Sequence, residues 1–460
     1  MKTLLVHAPV MHPPRSPEPV RKPVRTGFVR DVAVTTGARV SQAACAMFAG
    51  ILVARVAGPS ANGTLSVLIA LGSMAFLLGS LGVHYSGVYF LGRFGSDREA
   101  VVSNNLLVGI AGGLATGAAL AGVGILFHHQ LLGRVSIGLF VLYVFAVPCM
   151  YFNIMARAIV LGLGRVAAYN VPDAIEGGGL LLGTAAALAI FGDRLLPLVA
   201  LRVAVEAAIS VAIFLYVRQR IHFEFRPSRN VLLRQVRYGV RNYASSLFWV
   251  FLLQSDLLLC NYFLGRGPTG VYSIAVSLGL PVTLAASVVG MLTFQRVSSN
   301  ASRENRVANT NRVLRILVPI VGSIALVTGA LAKWLIPLVY GDRFGGAADA
   351  LILLLPGLVV LSLEIVLMSF FGGEGSPAIV YQAPIVGLAS NFAANLFVIP
   401  RWGIAGAAFT SSCCYALVFA LVLLSYLRST SSSFRDVLLL RRDDVGALRR
   451  AGGASAKASL

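Results

Sequence analysis

The chain is predicted to be an all-α, polytopic membrane protein with about twelve transmembrane helices arranged in two six-helix lobes. Three observations predict this. Of 460 residues, 57% are hydrophobic and 12% charged, and the mean hydropathy is +0.80. A water-soluble surface on a chain this long needs far more charge, so lipid must cover the apolar excess. The apolar residues fall into runs of the length that crosses a bilayer, about 20 residues each. The basic residues fall between those runs, and their largest interior cluster divides the chain into two halves of similar length.

The elements follow in order. Residues 1–30 carry six prolines among six basic side chains and cannot form a helix. The patch Leu4–Val6 is too short for a signal-peptide core, so this segment reads as a disordered cytoplasmic tail. Asp31 to Ala38 reads as a short helical lead-in lying along the membrane surface. The first six spans are expected near 35–57, 63–91, 102–127, 136–162, 169–191 and 195–217, which makes 31–217 the first lobe. A basic cytoplasmic bridge, 218–237, carries Arg218, Arg220, Arg226, Arg229, Arg234 and Arg237 around Pro227. The second lobe, 238–427, holds spans near 238–264, 270–294, 313–337, 348–371, 377–399 and 403–427. The last segment, 428–460, opens on Ser429–Ser433 and continues with apolar residues alternating with arginines. An interfacial helix and a disordered tail are both compatible with that pattern.

The 38 lysines and arginines orient the twelve spans. With both termini on the cytoplasmic side, about 28 of them lie inside and about seven outside, and an odd number of spans would destroy this asymmetry. The formal charge of +20 is therefore a record of membrane orientation. It does not form the basic face that nucleic acid would need, and no nucleic-acid partner is expected.

The halves repeat. Shifting by about 207 residues lays Leu52–Gly72 over Leu259–Gly279, matching Gly58 with Gly265, Gly63 with Gly270, Ser66 with Ser273 and Gly72 with Gly279. Each match falls at the end of one span, its outer turn and the next span. Two parallel six-helix repeats with a site between them is a transporter architecture.

No HExxH, P-loop or nucleophile elbow occurs. Gly162–Ala167 has a dinucleotide-like glycine spacing but follows a membrane span instead of a strand. The six histidines are scattered, with His84 inside the second span, and the five cysteines lie in apolar runs without metal-ligand spacing. No catalytic residue, metal site or cofactor is expected. The informative residues are ionisable groups within spans, because each costs about 2.5–3.5 kcal/mol at a helix centre unless it faces protein or a wet cavity. They are Arg39, Asp173, Glu176, Arg202, Glu206, Arg241, Asp256 and Glu364. Arg202 and Glu206 are four apart and can neutralise each other. Asp173 and Glu176 can pair with Arg157 or Arg165, and Arg39 and Arg241 can snorkel to the inner surface. Asp256 has no partner within a turn of its own helix, which singles it out.

Over residues 28–428 the chain resembles the bacterial polysaccharide transporters, the O-antigen-type lipid-linked oligosaccharide flippases of the multidrug/oligosaccharidyl-lipid/polysaccharide exporter superfamily. Four stretches carry the resemblance: GPSANGTLSVLIALG, SDLLLCNYFLGRGPTGVYSIAVSLG, LVYGDRFGGAADALILLLPG and NLFVIPRWGIAGAAFTSS. It implies two lobes around a central cavity that opens alternately to each side of the inner membrane. The implied substrate is an undecaprenyl-pyrophosphate-linked glycan, with polysaccharide polymerase and glycosyltransferases as neighbours in the pathway. Asp256 matches the acidic residue often found in the first helix of the family's second half. Arginine forks suit pyrophosphate oxygens, so Arg39, Arg55, Arg202 and Arg241 are the substrate candidates. With no nucleotide-binding motif, coupling falls to H+ or Na+ at Asp256, with Glu206 or Glu364 as fallback. Other readings fit less well. A drug/cation antiporter is expected to place a carboxylate in its first helices, and the first four spans hold none. A peptidoglycan-precursor flippase typically has two further helices. A polymerase or ligase needs a large outer loop, and a scaffold gives no reason for unpaired intramembrane charge.

Overall fold

The computed structural model describes residues 28–93, 97–133, 135–297, 302–375, 377–441 and 444. Of the proposed tails 1–30 and 428–460, residues 1–27, 442–443 and 445–460 lie outside the described residues, as do a few side chains within helices, Arg241's among them. Among the described residues there is no strand, and ten helices are long and apolar enough to span a membrane.

Two of the ten are hairpins. Helix α1 (Phe28–Ser80) has 53 residues, which would run about 80 Å if straight, against a hydrocarbon core of about 30 Å. It breaks at Gly58, whose φ of 76° is left-handed and suits a residue without Cβ. Its arms fold back on each other, since Arg39 from the first lines the same cavity as His84 beyond the second. Helix α14 (Ile379–Thr430) breaks likewise at Gly403, and its arms are tied by Asn391 Nδ2 donating to Ser411 Oγ at 3.3 Å. Ten helices thus make twelve crossings. The lead-in expected along the membrane surface is instead the continuous start of α1.

In the first lobe, α1 is followed by α2 (Val83–Arg93), after a break at Leu81 and Gly82, both at positive φ. Then come α3 (Arg98–Leu107), α4 (Gly113–Leu126), the short α5 (His128–Leu131), α6 (Ile137–Val144), α7 (Ala146–Gly162), α8 (Val166–Phe191) and α9 (Leu195–Arg220). The second lobe comprises α10 (Arg229–Leu264), α11 (Arg266–Val297), α12 (Arg303–Tyr340), α13 (Gly346–Gly373) and α14. One large core built on Tyr272, Phe344, Phe370 and Tyr426 fills the second lobe. Several smaller clusters make up the core of the first, because polar side chains run between its helices.

The repeat is visible in the backbone. Gly58 (φ 76°, ψ −176°) and Gly265 (φ 81°, ψ −178°) make the same turn. Five residues on, Gly63 and Gly270 press against each other across the lobes. A methyl at Gly63 would lie 1.9 Å from the Arg266 carbonyl oxygen, and one at Gly270 would lie 1.9 Å from that of Pro59. Those two carbonyls are themselves a repeat pair, so the contact is quasi-symmetric. Asn62 Nδ2 seals it by donating to Gly270 O at 3.0 Å and Ser273 Oγ at 2.9 Å.

The bridge read as a basic hinge is mostly ordered helix with a short extended stretch, 221–228, between α9 and α10. It is fastened to α3. Asn104 pairs both ways with the Ser228 backbone, at 3.0 and 3.1 Å, and Ser103 Oγ accepts the Arg226 N–H at 2.9 Å. Gln235 donates to Asn105 at 2.9 Å, and Arg234 meets Asp97 at 2.9 Å. One turn further, Gly239 packs on the Leu81–Gly82 break, where a Cβ on either glycine would strike backbone. The basic end of α10 therefore travels with the first lobe.

The start of the C-terminal segment is folded back on α12. Ser433 and Asp436 form a reciprocal capping box on α15 (Phe434–Leu438), Val437 is buried, and Asn311 donates to Ser432 Oγ at 3.2 Å. Arg315 donates through Nε and a terminal nitrogen to the two Asp444 oxygens, at 2.7 and 3.1 Å. Both charges are nearly covered, at 9% and 3% side-chain exposure. Among the described residues this segment is a strap docked on α12 that includes the short helix α15.

Candidate substrate and coupling sites

A polar cavity of about 490 Å³ lies inside the first lobe toward its basic end, among the first arm of α1, α2, α7 and α8. Helix periodicity assembles it. Arg39 and Gln42 stand three apart on α1, and Tyr169 and Asp173 four apart on α8, so each pair shares a face. His84 and Tyr85 follow directly after the Leu81–Gly82 break, and α7 adds Arg157. Arg157 is bonded to Asp173 at 2.6 Å and lies over the Tyr169 ring at 4.6 Å. Gln42 donates to Glu176 at 2.7 Å, and the other Glu176 oxygen is 3.5 Å from Arg202. Arg202 in turn lies 3.9 Å from Glu206, which accepts from Asn153 at 3.0 Å. Three carboxylates thus hold Arg157 and Arg202. Arg39, which lines the cavity, has no ion pair among the described residues and is the charge left over.

The structure does not bring all four candidate arginines together. Arg55 is on the far side of its arm, where its guanidinium caps α12 by donating to the carbonyls of Leu338 and Val339. Those carbonyls have no helical partner of their own, so this is a satisfied structural role. Arg202 sits deeper than Arg39, between Glu176 and Glu206. Arg241 is on α10, with its side chain outside the described residues. Sequence reasoning missed Gln42, His84, Tyr85 and Tyr169 as cavity residues and read Arg157 only as a structural partner. His84 carried a usable signal: a histidine inside an apolar run obeys the same burial logic as a carboxylate. Its Nδ1 is buried without a hydrogen-bond partner in the structure.

The carboxylates are dispersed. Asp256 is buried in the second lobe, 2% exposed, where one oxygen accepts from Tyr272 Oη at 2.5 Å and Ser411 Oγ at 2.9 Å. Around it Ser255 donates to Asn391 at 3.2 Å, and Asn395 donates to the same Asn391 oxygen at 3.0 Å. The side-chain partners absent within one helical turn are thus supplied by α11 and the second arm of α14, while the Leu257 N–H donates to the other oxygen at 2.7 Å. They are all neutral, and no cation pairs with Asp256 among the described residues. Glu364 is fully buried on α13, with neither oxygen hydrogen-bonded. Helix α13 and the second arm of α14 run side by side, Gly357 on Ser412 and Phe371 on Tyr426. That register places Glu364 level with Phe419 in an apolar seam.

A family model described as polysaccharide biosynthesis protein matches residues 174–349. No curated protein sequence matches the chain. Among solved structures, an inward-facing multidrug resistance MATE family transporter of the MOP superfamily superposes with a TM-score of 0.71 at 15% identity, covering 86% of this chain and 98% of that one. The lipid II flippase MurJ in an inward closed conformation gives 0.69 at 13% identity, covering 89% of both chains. An outward-facing MATE family transporter gives 0.60 at 14% identity over 87% of this chain and 96% of that one. These matches support the resemblance read from the sequence: residues 174–349, less than half of the chain, are similar to a polysaccharide biosynthesis family, and the two-lobed fold is shared with the MATE and MurJ structures.

Proposed function

We propose that this chain is a flippase that carries an undecaprenyl-pyrophosphate-linked oligosaccharide from the inner to the outer leaflet of the cell membrane by alternating access. The observation that carries the reading is Arg39: a cation with no ion pair among the described residues, lining a polar cavity at the end of the first lobe where the arginine-rich loops gather. That end is taken as cytoplasmic, with both termini on it. Arg157 is the second ligand, because its bond to Asp173 can be exchanged for a phosphate oxygen while Tyr169 still holds the guanidinium plane. Arg202 and Arg241 remain candidates for the moving headgroup, whereas the capping role of Arg55 removes it from contact. A cation-binding drug exporter fits this cavity less well, since Asp173, the carboxylate lining it, is already engaged by Arg157. Polymerase and glycosyltransferases remain the expected partners in assembling the polymer.

Two tests follow. Arg39→Ala should stop glycan export while the protein still accumulates in the membrane, and Arg39→Lys should keep part of the activity, because a point charge survives without the fork. Arg157→Ala should lose about tenfold or more, since truncation also strands Asp173. Undiminished export by both alanine variants would refute the anion-binding reading.

Coupling is assigned to Asp256. Hydroxyl and amide neighbours can stabilise it with a proton or Na+ bound and without, whereas Glu364 lacks any such neighbour and Glu206 is within reach of Arg202. In reconstituted vesicles Asp256→Asn should abolish gradient-driven transport yet leave substrate binding measured without a gradient unchanged. Normal gradient-driven transport by this variant would make Asp256 a structural residue only.

A further inference from the structure

A larger cavity than the one at Arg39, about 710 Å³, lies in the first lobe among α3, α7, α9 and the extended stretch that follows α9. The two cavities share no lining residue. Its base is apolar: Leu106, Phe152 and Val217 are all buried. One side is closed by the strip 221–225, which is pinned to α3. There Ser103 Oγ donates to the Glu224 carbonyl at 3.4 Å and accepts the Arg226 N–H at 2.9 Å. The cavity opens past Ile110 and Phe214, both exposed apolar side chains. Ile110 stands on a π turn, Val108–Gly112, between α3 and α4, and single-turn π bulges are frequent at functional sites.

Charge of both signs lines the same cavity. Arg218 stands in the last turn of α9 and Glu99 in the first turn of α3. Neither has an ion pair among the described residues, so they do not neutralise each other, whereas Glu224 is taken by Arg226. His222 is the remaining polar side chain there and can donate to the same group as Arg218. From Glu99 to Ile110 the cavity follows about 16 Å of helix, close to one leaflet of a hydrocarbon core about 30 Å thick. A ligand that meets all of these features has an anionic group, a cationic N–H donor beside it, and an apolar tail one leaflet deep.

We propose that this cavity binds an ethanolamine phospholipid of the leaflet at the basic end, with its phosphate on Arg218, its ammonium on Glu99 and an acyl chain against Phe152, Phe214 and Ile110. The planar guanidinium fork suits phosphate oxygens. A primary ammonium has N–H donors for a carboxylate, and hydrogen bonds between two charged groups are the strong ones. A choline head has no N–H to give, and a glycerol head would leave Glu99 facing an uncompensated anion. The bound lipid joins α3 to the connection between α9 and α10. The site uses none of the residues on which the flippase reading rests and stands or falls apart from it.

Native mass spectrometry of the purified full-length protein, stripped of lipid in detergent, tests this. The probes are dioleoyl phosphatidylethanolamine, phosphatidylcholine and phosphatidylglycerol, and glycerophosphoethanolamine, which is the same head without chains. Wild type should bind phosphatidylethanolamine about tenfold more tightly than the other two lipids, the size of one charge-assisted hydrogen bond. Glycerophosphoethanolamine should bind about a hundredfold more weakly or worse, because the apolar contact is gone. Glu99→Gln should remove the preference for ethanolamine over choline. Arg218→Ala should weaken all three lipids about tenfold, and Arg218→Lys should recover part of that loss, which a merely unfolded variant would not show. Equal retention of the three lipids by the wild type would reduce the cavity to annular contact and overturn the inference. A preference for phosphatidylglycerol, or comparable binding of glycerophosphoethanolamine, would overturn it in favour of a plain anion site or a soluble ligand. So would an ethanolamine preference that survives both Glu99→Gln and Arg218→Ala. None of these outcomes bears on the Arg39 test of the flippase.

Discussion

Gly63→Leu should reduce export by about a hundredfold or more while leaving the protein folded and in the membrane, and Gly270→Leu should do the same. At both positions the obstruction is the opposite lobe's backbone, 1.9 Å from where the first side-chain carbon would sit. A side chain in the way can rotate aside, but a carbonyl oxygen in a helix cannot. Overpacking a close contact costs about 1–3 kcal/mol even where neighbours can yield. Here the whole penalty falls on conformations in which this seam is shut, and none on those in which it is open. Each 1.4 kcal/mol of such bias shifts the ratio of states tenfold, so the carrier is held open at the end away from the arginine-rich loops. Gly122→Leu is the matched control, since nothing lies within 4 Å of a Cβ there. Distances between spin labels on the two lobes would show the shift directly. Wild-type export by Gly63→Leu would mean that the seam does not close during the cycle.

Asp444→Asn should lower the melting temperature in detergent and blunt its acid sensitivity. In the parent protein, hydrogen bonding from the Arg315 fork holds the Asp444 carboxyl below the usual carboxylate range, with the Arg441 N–H and the Arg312 charge acting in the same direction. A depressed acid contributes stability that is fully present above its unfolded pKa, near 3.9, and is lost as pH falls through its lower folded value. Melting measured from pH 6 down to about pH 2 should therefore fall more steeply below about pH 4 in the parent than in the variant. Hydrogen bonds to charged groups contribute about 1.5–3 kcal/mol, and the variant should be destabilised by that order at neutral pH. Identical melting curves across the range would show that the strap contributes nothing to the fold.

Composition was enough to count the crossings, because a bilayer sets the length of every apolar run whatever its neighbours do. The glycine spacing that lines up Gly58 with Gly265 and Gly63 with Gly270 also survived into three dimensions, since both pairs answer backbone requirements that other residues meet poorly. The pairing of buried polar groups was less legible. Tyr272 and Ser411 reach Asp256 from separate helices, with Asn391 bonded to Ser411 behind them, and a helix apolar on all sides gives no sign of which face meets which neighbour. For the same reason Arg55 looked like a cavity residue until its carbonyl partners 283 and 284 residues away came into view. The ion pair at the end of the strap joins Asp444 to Arg315 across 129 positions, which no local pattern announces.

Helix α10 is clamped to the first lobe through Gln235 and carries Asp256 in the second, 21 residues and about 30 Å further on. It is therefore a shaft keyed at both ends. Its angular phase is set where Gln235 locks to Asn105 and is read where Asp256 meets Tyr272 and Ser411. Each residue along it accounts for about 100° of rotation. Any rocking of one lobe against the other would twist or bow the shaft between its two keys and deliver that torsion to the hydrogen bonds around the carboxylate. Motion of the lobes and the grip on Asp256 would thereby be geared together by a single helix, with no relay of side chains between them.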